Sequence, residues 1–304
     1  MATSDAGAGT QSDESAPGVK KTSRAGRDLP AAIAVGLFTG GLVVASLLFA
    51  PRYWVGLCAA AILVASHEVV RRLREGGYVI PVIPLLVGGQ LTVWLTWPFG
   101  ARGALAGFGV TVVVCMIWRL FMRDESRDHD PAAGPPPPSK YLRDASATIF
   151  LTAWVPLFAT FAALLVYHPK EGAWRVFCLM MTVVASDVGG YAFGVLFGKH
   201  PLVPSISPKK SWEGLAGSLV CGITSALLIA TFLGHRPPWE GVVLGFVLVL
   251  TCVFGDLVES QVKRDLGIKD MGRLLPGHGG LMDRLDGVLP SAVAAWSLFS
   301  VLPA

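Results

Sequence analysis

The chain has 304 residues, 53% of them hydrophobic and 15% charged, with a mean hydropathy of +0.57. A soluble domain carries roughly 25% charged residues, and a chain of this length exposes too much surface to hide so apolar a composition from water. A plain soluble enzyme, a disordered chain and a collagen-like fibre are excluded, and a net charge of +4 is too mild to indicate nucleic acid. A polytopic membrane protein remains.

Residues 1–29 are rich in Ser, Ala, Gly and charge and contain no apolar run. They read as a disordered cytoplasmic tail, not a signal peptide. A membrane-crossing helix needs about 20 mostly apolar residues. Runs of that kind cover 31–50, 53–71, 80–98, 103–121, 145–167, 173–195, 213–233, 239–258 and 288–303. The expected fold is an all-α bundle of about nine transmembrane helices. With the N-terminus inside, alternating segments place 20 of the 25 Lys and Arg on the cytoplasmic side, leaving Arg52, Arg102, Lys170, Arg175 and Arg236 outside. Cytoplasmic loops favour positive charge, so the N-terminus is expected in the cytoplasm and the C-terminus outside.

Pro135 to Pro138 form a stiff polyproline II stretch. Residues 122–144 therefore read as a Pro-rich cytoplasmic linker. It separates N-terminal transmembrane helices (30–121) from a C-terminal transmembrane catalytic domain (145–304). Cys58, Cys115, Cys178, Cys221 and Cys252 lie within apolar runs without a CxxC pair. They read as small buried hydrophobes.

Chemistry concentrates in the second half. Asp256, Glu259, Ser260 and Lys263 are spaced by three, four and seven, on one helical face. Acids near a bilayer are costly unless paired or bound to a cation. Residues 264–287 follow, rich in Gly, with Lys269, Arg273 and Arg284 supplying positive charge. Asp283 and Asp286 are three apart, and a re-entrant loop bringing them to Asp256 would hold divalent cations. Magnesium takes a few carboxylates and completes its shell with phosphate and water.

A second cluster covers 186–214. Asp187 interrupts an apolar run, with Tyr191 one turn later. An intramembrane Asp is a functional candidate, whereas Gly194 and Gly198 read as helix-packing positions. The stretch from Ser205 through Ser207, Lys209, Lys210 and Ser211 to Glu213 sets lysines and hydroxyls before a helix start, an arrangement suited to phosphate. His67 and Glu68, beside Arg71 and Arg72, read as a charge-balanced interfacial helix end. An ion-coupled transporter would use Asp187 and Asp256 but has no need of the Gly-rich and Lys-rich loops.

The stretch Ser260 to Asp286, SQVKRDLGIKDMGRLLPGHGGLMDRLD, closely resembles the hallmark segment of phosphatidate cytidylyltransferases. Ser260, Lys263, Arg264, Lys269, Asp270, His278, Gly279, Gly280, Asp283, Arg284 and Asp286 carry the likeness. The upstream SPKKSWEG, GDLVES and Asp187–Tyr191 segments are also similar to this family. The resemblance implies cytidylyl transfer from CTP to phosphatidate with Mg2+, in a bacterial plasma membrane, at a cytoplasmic active site and in a homodimer, with no nucleic-acid partner. Another CTP-dependent enzyme acting on a lipid phosphate or polyprenol is the nearest alternative. On this reading Asp256 and Asp283, with Asp286, hold Mg2+, with or without a second cation. Lys209, Lys210, Lys263 and Arg264 neutralise phosphates, and His278 positions a phosphate or shapes the loop. Ser207, Ser260, Lys269, Arg284, Asp187 and Tyr191 complete the substrate contacts, with phosphatidate lying in the cytoplasmic leaflet.

Overall fold

The computed structural model describes residues 40–47, 51–122, 140–168, 170–272, 274 and 279–302. Beyond a helical stretch at 40–47, the helices are α1 (Pro51–Glu75), α2 (Val82–Trp94), α3 (Thr96–Phe121), α4 (Tyr141–Thr152), α5 (Phe158–Leu165), α6 (Gly172–Phe197), α7 (Trp212–Phe232), α8 (Pro238–Asp265), a short α9 (Met282–Leu285) and α10 (Val288–Val301). Among the described residues six helices are long and apolar enough to cross a membrane: Tyr53–Glu75, Thr96–Phe121, Tyr141–Leu165, Gly172–Phe197, Trp212–Phe232 and Pro238–Asp265.

The other three runs differ for local reasons. The run 31–50 lies mostly outside the described residues. The run 80–98 is divided, because α2 stops after 13 residues and the chain re-enters a helix at Thr96. Gly100 then adopts φ 57° and ψ −140°, a kink that glycine alone enters readily. The last run yields the 14-residue α10.

The third candidate span is one helix with an internal irregularity. Between α4 and α5 a single π turn covers Ala153–Leu157 and contains Pro156. Proline has no N–H to donate and crowds the preceding turn, and one wider turn accommodates it. The helix resumes after the Pro-rich segment at Tyr141. There Asp144, fully buried, pairs with the equally buried Arg119 at 2.8 Å and joins α3 to α4.

One buried cluster runs from α1 to α10, with Ile62, Leu151, Leu179 and Leu248 almost fully enclosed. Leu105, Val110, Val113 and Ile117 of α3 point outward. Such a stripe is a liability in water and the normal outer face of a helix in lipid.

Lipid gives little hydrophobic push between helices, so close backbone approach holds them together. A Cβ on Gly189 would lie 2.6 Å from the Gly217 carbonyl oxygen, and one on Gly190 would lie 2.4 Å from Ser218 Oγ. These two glycines make the α6–α7 crossing. The packing expected at Gly194 is looser: a Cβ there meets Ser211 Oγ at 3.7 Å and Gly214 Cα at 3.8 Å, ordinary contact with the start of α7. At Gly198 a Cβ would meet the end of its own helix, Gly194 O at 2.3 Å, and Ser211 Oγ of β2 at 2.9 Å.

The fold also departs from purely α. Strands β1 (Pro201–Val203) and β2 (Ser207–Ser211) form an antiparallel hairpin, with Pro201 opposite Ser211 and Val203 opposite Ser207. Prolines discourage helix here, and the turn at 204–206 closes the pair. The hairpin delivers the chain to α7, whose first turn is capped by Ser211 Oγ accepting from Gly214 N at 3.1 Å.

Candidate active site

Helix α6, strand β2, the start of α7, the end of α8 and residues 283–287 enclose a cavity of about 490 Å³. Its wall brings together Asp187, Tyr191, Ser207, Lys209, Lys210, Asp256, Lys263, Asp283, Arg284 and Asp286, all expected from the sequence. Asp270 joins them. Ser260 stands behind the wall and donates to Asp256 Oδ1 at 3.2 Å. Arg264 turns away and donates through Nε to the Ile206 carbonyl at 3.3 Å. Lys269 is exposed and off the cavity wall. His278 lies outside the described residues.

The α8 carboxylates sit where the apolar run ends. Lys210 Nζ pairs with Asp256 Oδ2 at 2.6 Å and also donates to the Val253 carbonyl at 3.3 Å. Asp256, Glu259 and Asp286 each bring one carboxylate oxygen to within 4.8 Å of the others. Glu259 is fully buried and bonded to Lys263, whose Nζ also lies 3.1 Å from Asp283 Oδ1. Glu259 thus completes the acidic trio, a place not expected for it from spacing alone.

Asp283 is turned toward backbone. Both of its oxygens accept from Met271 N at 3.1 Å, and Oδ2 accepts from Gly280 N at 2.8 Å. Burial pushes its pKa up, but the Met271 and Gly280 N–H groups and the Lys263 ammonium outweigh that and hold it below the usual carboxylate range. Asp286 goes the other way. Burial first, and then the charges of Asp256 and Asp187, push it up to about 7, against the bond from Gly287 N at 2.8 Å and the charge of Lys263. Carboxylates crowded in this way repel one another, and a hard cation with oxygen ligands relieves the repulsion.

The hairpin presenting the lysines is braced from both sides. Glu213 accepts from Lys199 N at 3.2 Å and His200 N at 3.3 Å, and pairs with His200 Nδ1 at 2.6 Å. Arg264 holds the other end through Ile206. Ser211 and Glu213 therefore shape the platform, and Ser207, Lys209 and Lys210 line the cavity. Cys252, buried as expected, donates to Asp187 Oδ1 at 3.6 Å.

Glu68 is a correction. Expected in a charge-balanced interfacial helix end, it is instead only 8% exposed, and its Oε2 accepts from Met282 N at 2.9 Å. Arg72, one turn later, donates to the Met271 carbonyl at 2.9 Å. Both partners lie about 200 residues further along the chain, a distance that no local pattern encodes.

Membrane-length helices beside a polar cavity of paired acids and lysines define an integral membrane protein with carboxylates and lysines gathered in that cavity. The chain belongs to the cytidylyltransferase family, whose model matches residues 30–302. It is 72% identical over 313 residues to a protein of Mycobacterium leprae named phosphatidate cytidylyltransferase, covering 100% of both chains. It is 66% identical over 308 residues to the protein of that name from Mycobacterium tuberculosis, covering 100% of this chain and 93% of the relative. A Haemophilus influenzae protein of the same name is 38% identical over 138 residues, 44% of this chain.

Proposed function

We propose that the chain transfers the cytidylyl group of CTP to phosphatidate, yielding CDP-diacylglycerol and pyrophosphate, in the cavity between α6, α8 and the hairpin. The full-length identity to proteins named for this activity supports the reaction. The observation that carries the site is the meeting of Lys210 with Asp256 beside Asp286 on one cavity wall, with the buried Glu259 next to them, groups suited to phosphate and to a cation.

A phosphatidate oxygen attacks the α-phosphorus of CTP. The new P–O bond forms as the bond to the β-phosphate bridge breaks, and pyrophosphate leaves with that electron pair. The attacking oxygen is already anionic at neutral pH, so no side chain need remove its proton. Lys209 and Lys210 approach the phosphates from the hairpin and offset their charge. Lys263 holds Glu259 and Asp283 in place beside them. Arg284 supplies a further positive charge on the cavity wall. Three carboxylate oxygens within 4.8 Å fit Mg2+. Asp256 and Asp286 would hold it with Glu259 beside them, while Asp283, bonded to Met271 N, Gly280 N and Lys263, would fix the loop that carries Asp286. Bound there, the ion spreads the negative charge of the triphosphate.

On this reading the cavity and the N-terminus are cytoplasmic, the C-terminus is outside, and the full chain has about nine spans. The 20-to-5 distribution of Lys and Arg supports this orientation. The chain sits in the bacterial plasma membrane, drawing phosphatidate from the cytoplasmic leaflet. The division into tail (1–29), N-terminal helices (30–121), linker (122–144) and catalytic domain (145–304), and a homodimer, belong to the same proposal.

The test uses the purified full chain in mixed micelles with phosphatidate, Mg2+ and CTP labelled at either the α- or the γ-phosphorus. Label from the α-position in the lipid fraction supports cytidylyl transfer. Label from the γ-position, or none, overturns it.

A further inference from the structure

Helix α1 contributes nothing to the cavity wall, yet two of its side chains hold the backbone on which Asp283 is fixed. Glu68 Oε2 accepts from Met282 N at 2.9 Å, next to Asp283 in sequence. Two glycines let the carboxylate in. A Cβ on Gly272 would lie 2.1 Å from Glu68 Oε1, and a Cβ on Gly280 would lie 2.7 Å from Oε2 and 2.6 Å from Gly272 N. Gly272 and Gly280 thus lie directly against each other, and the Glu68 carboxylate packs against both. One turn along α1, Arg72 Nε donates to the Met271 carbonyl at 2.9 Å. Met271 is 1% exposed, and its N–H is the one that Asp283 accepts. Arg72 and Asp283 therefore grip opposite ends of one residue, and Asp283 passes the connection on to Lys263 and Glu259.

An interfacial charge would need none of this. A glutamate stationed for solubility would stay in water and not among glycines. We infer that Glu68 and Arg72 are positioning residues for cytidylyl transfer: from the N-terminal helices they clamp residues 271–272 and 279–282, so that Asp283 and Asp286 meet Asp256 in the cavity. The inference deepens the proposed reaction and rests on it. It makes the N-terminal helices part of the active site's support, whereas the sequence motifs all lie in the second half.

The experiment compares Glu68→Ala, Glu68→Gln, Gly272→Ala and the double variant Glu68→Ala/Gly272→Ala in the full chain. It measures kcat and KM for both substrates, and amide exchange of the peptides holding Met271 and Met282 in metal-free protein. Small displacements of reacting groups cost about 10²-fold in rate, so Glu68→Ala is expected to lower kcat by about that factor with KM for phosphatidate little changed. Exchange at Met271 and Met282 rises with it. Glu68→Gln keeps an acceptor for Met282 N and recovers much of the rate. Gly272→Ala, whose methyl displaces the carboxylate, reproduces the Glu68→Ala defect. The double variant is no worse than either single one, the coupling expected of groups in contact.

Unchanged exchange at both peptides in Glu68→Ala overturns the clamp. So does a loss of rate in Glu68→Ala that is matched by loss of folded protein and not relieved by Gln. If the wild-type chain transfers no label, the reaction is wrong, and the exchange measurement still decides the clamp.

Discussion

Lys210 and Asp256 meet in the cavity, Nζ to Oδ2 at 2.6 Å, joining the hairpin to the last turns of α8. Each neutralises the other in the free protein. In the proposed reaction both are released: a substrate phosphate takes the lysine and a cation takes the carboxylate. Removal of the lysine should therefore have two opposite effects.

Lys210→Ala is expected to lower kcat/KM by about 10²–10³-fold, the usual consequence of deleting one donor aimed at reacting charge. It should also lower the Mg2+ concentration giving half-maximal rate, because Asp256 loses its competitor. Initial rates across a Mg2+ titration check both. A raised Mg2+ requirement would contradict the competition.

The acids should divide into two behaviours. Asp256→Asn and Asp286→Asn remove oxygens from the trio, and each is expected to reduce transfer by at least about 10²-fold, with a higher Mg2+ requirement. Asp283→Asn instead weakens the bonds to Met271, Gly280 and Lys263. It is expected to destabilise the protein by about 1–3 kcal/mol. Thermal unfolding in detergent, set beside the Mg2+ titration, separates the two.

At the opposite end of the helices, Glu171 accepts from Arg236 at 3.1 Å and pairs with Arg175. Burial raises its pKa, but Arg175, Arg236 and His168 together bring it below the ordinary glutamate value of 4.5. A depressed carboxylate stabilises the folded state above its unfolded pKa, and that contribution disappears as pH falls through the lower folded value. Wild type should therefore unfold at a higher temperature than Glu171→Gln at pH 7. The gap should narrow as pH drops below about 4.5. A gap independent of pH would assign the effect to packing.

Asp144 is enclosed against Arg119 at 2.8 Å and also pairs with Arg143 at 3.0 Å. Removing one partner of a buried ion pair costs about 3–5 kcal/mol. Asp144→Ala is therefore expected to unfold well below wild type. Any loss of transfer should follow the folded fraction, with KM for CTP unchanged in what remains.

Much of the site was legible because its residues are close in sequence. Asp256, Ser260 and Lys263 share a helical face by spacing, and Lys209 with Lys210 sit just before a helix start. What spacing cannot convey is which oxygen faces which partner. Glu259 and Asp283 belong to the same Lys263 network, yet Glu259 joins the acidic trio while Asp283 serves two backbone N–H groups. Glu68 was misread because its partner Met282 is a backbone group 214 residues away. The hairpin was missed because strands of three and five residues carry too few positions to show a period. Gly189 and Gly190 were harder still, since in the sequence every glycine of 189–198 looks alike. Only the neighbouring helix distinguishes those two from Gly194.

The α6–α7 crossing also sets where harm can come from. Asp187 lies two residues before Gly189, and Lys210 enters just ahead of α7, so both helices carry their cargo past the same point of contact. A single added methyl at Gly189 would push apart the two backbones on which those groups ride. Every lysine and carboxylate would keep its chemistry, and the cavity they share would lose its shape. The smallest residue in the chain thus sets the tolerance to which the most reactive ones are built.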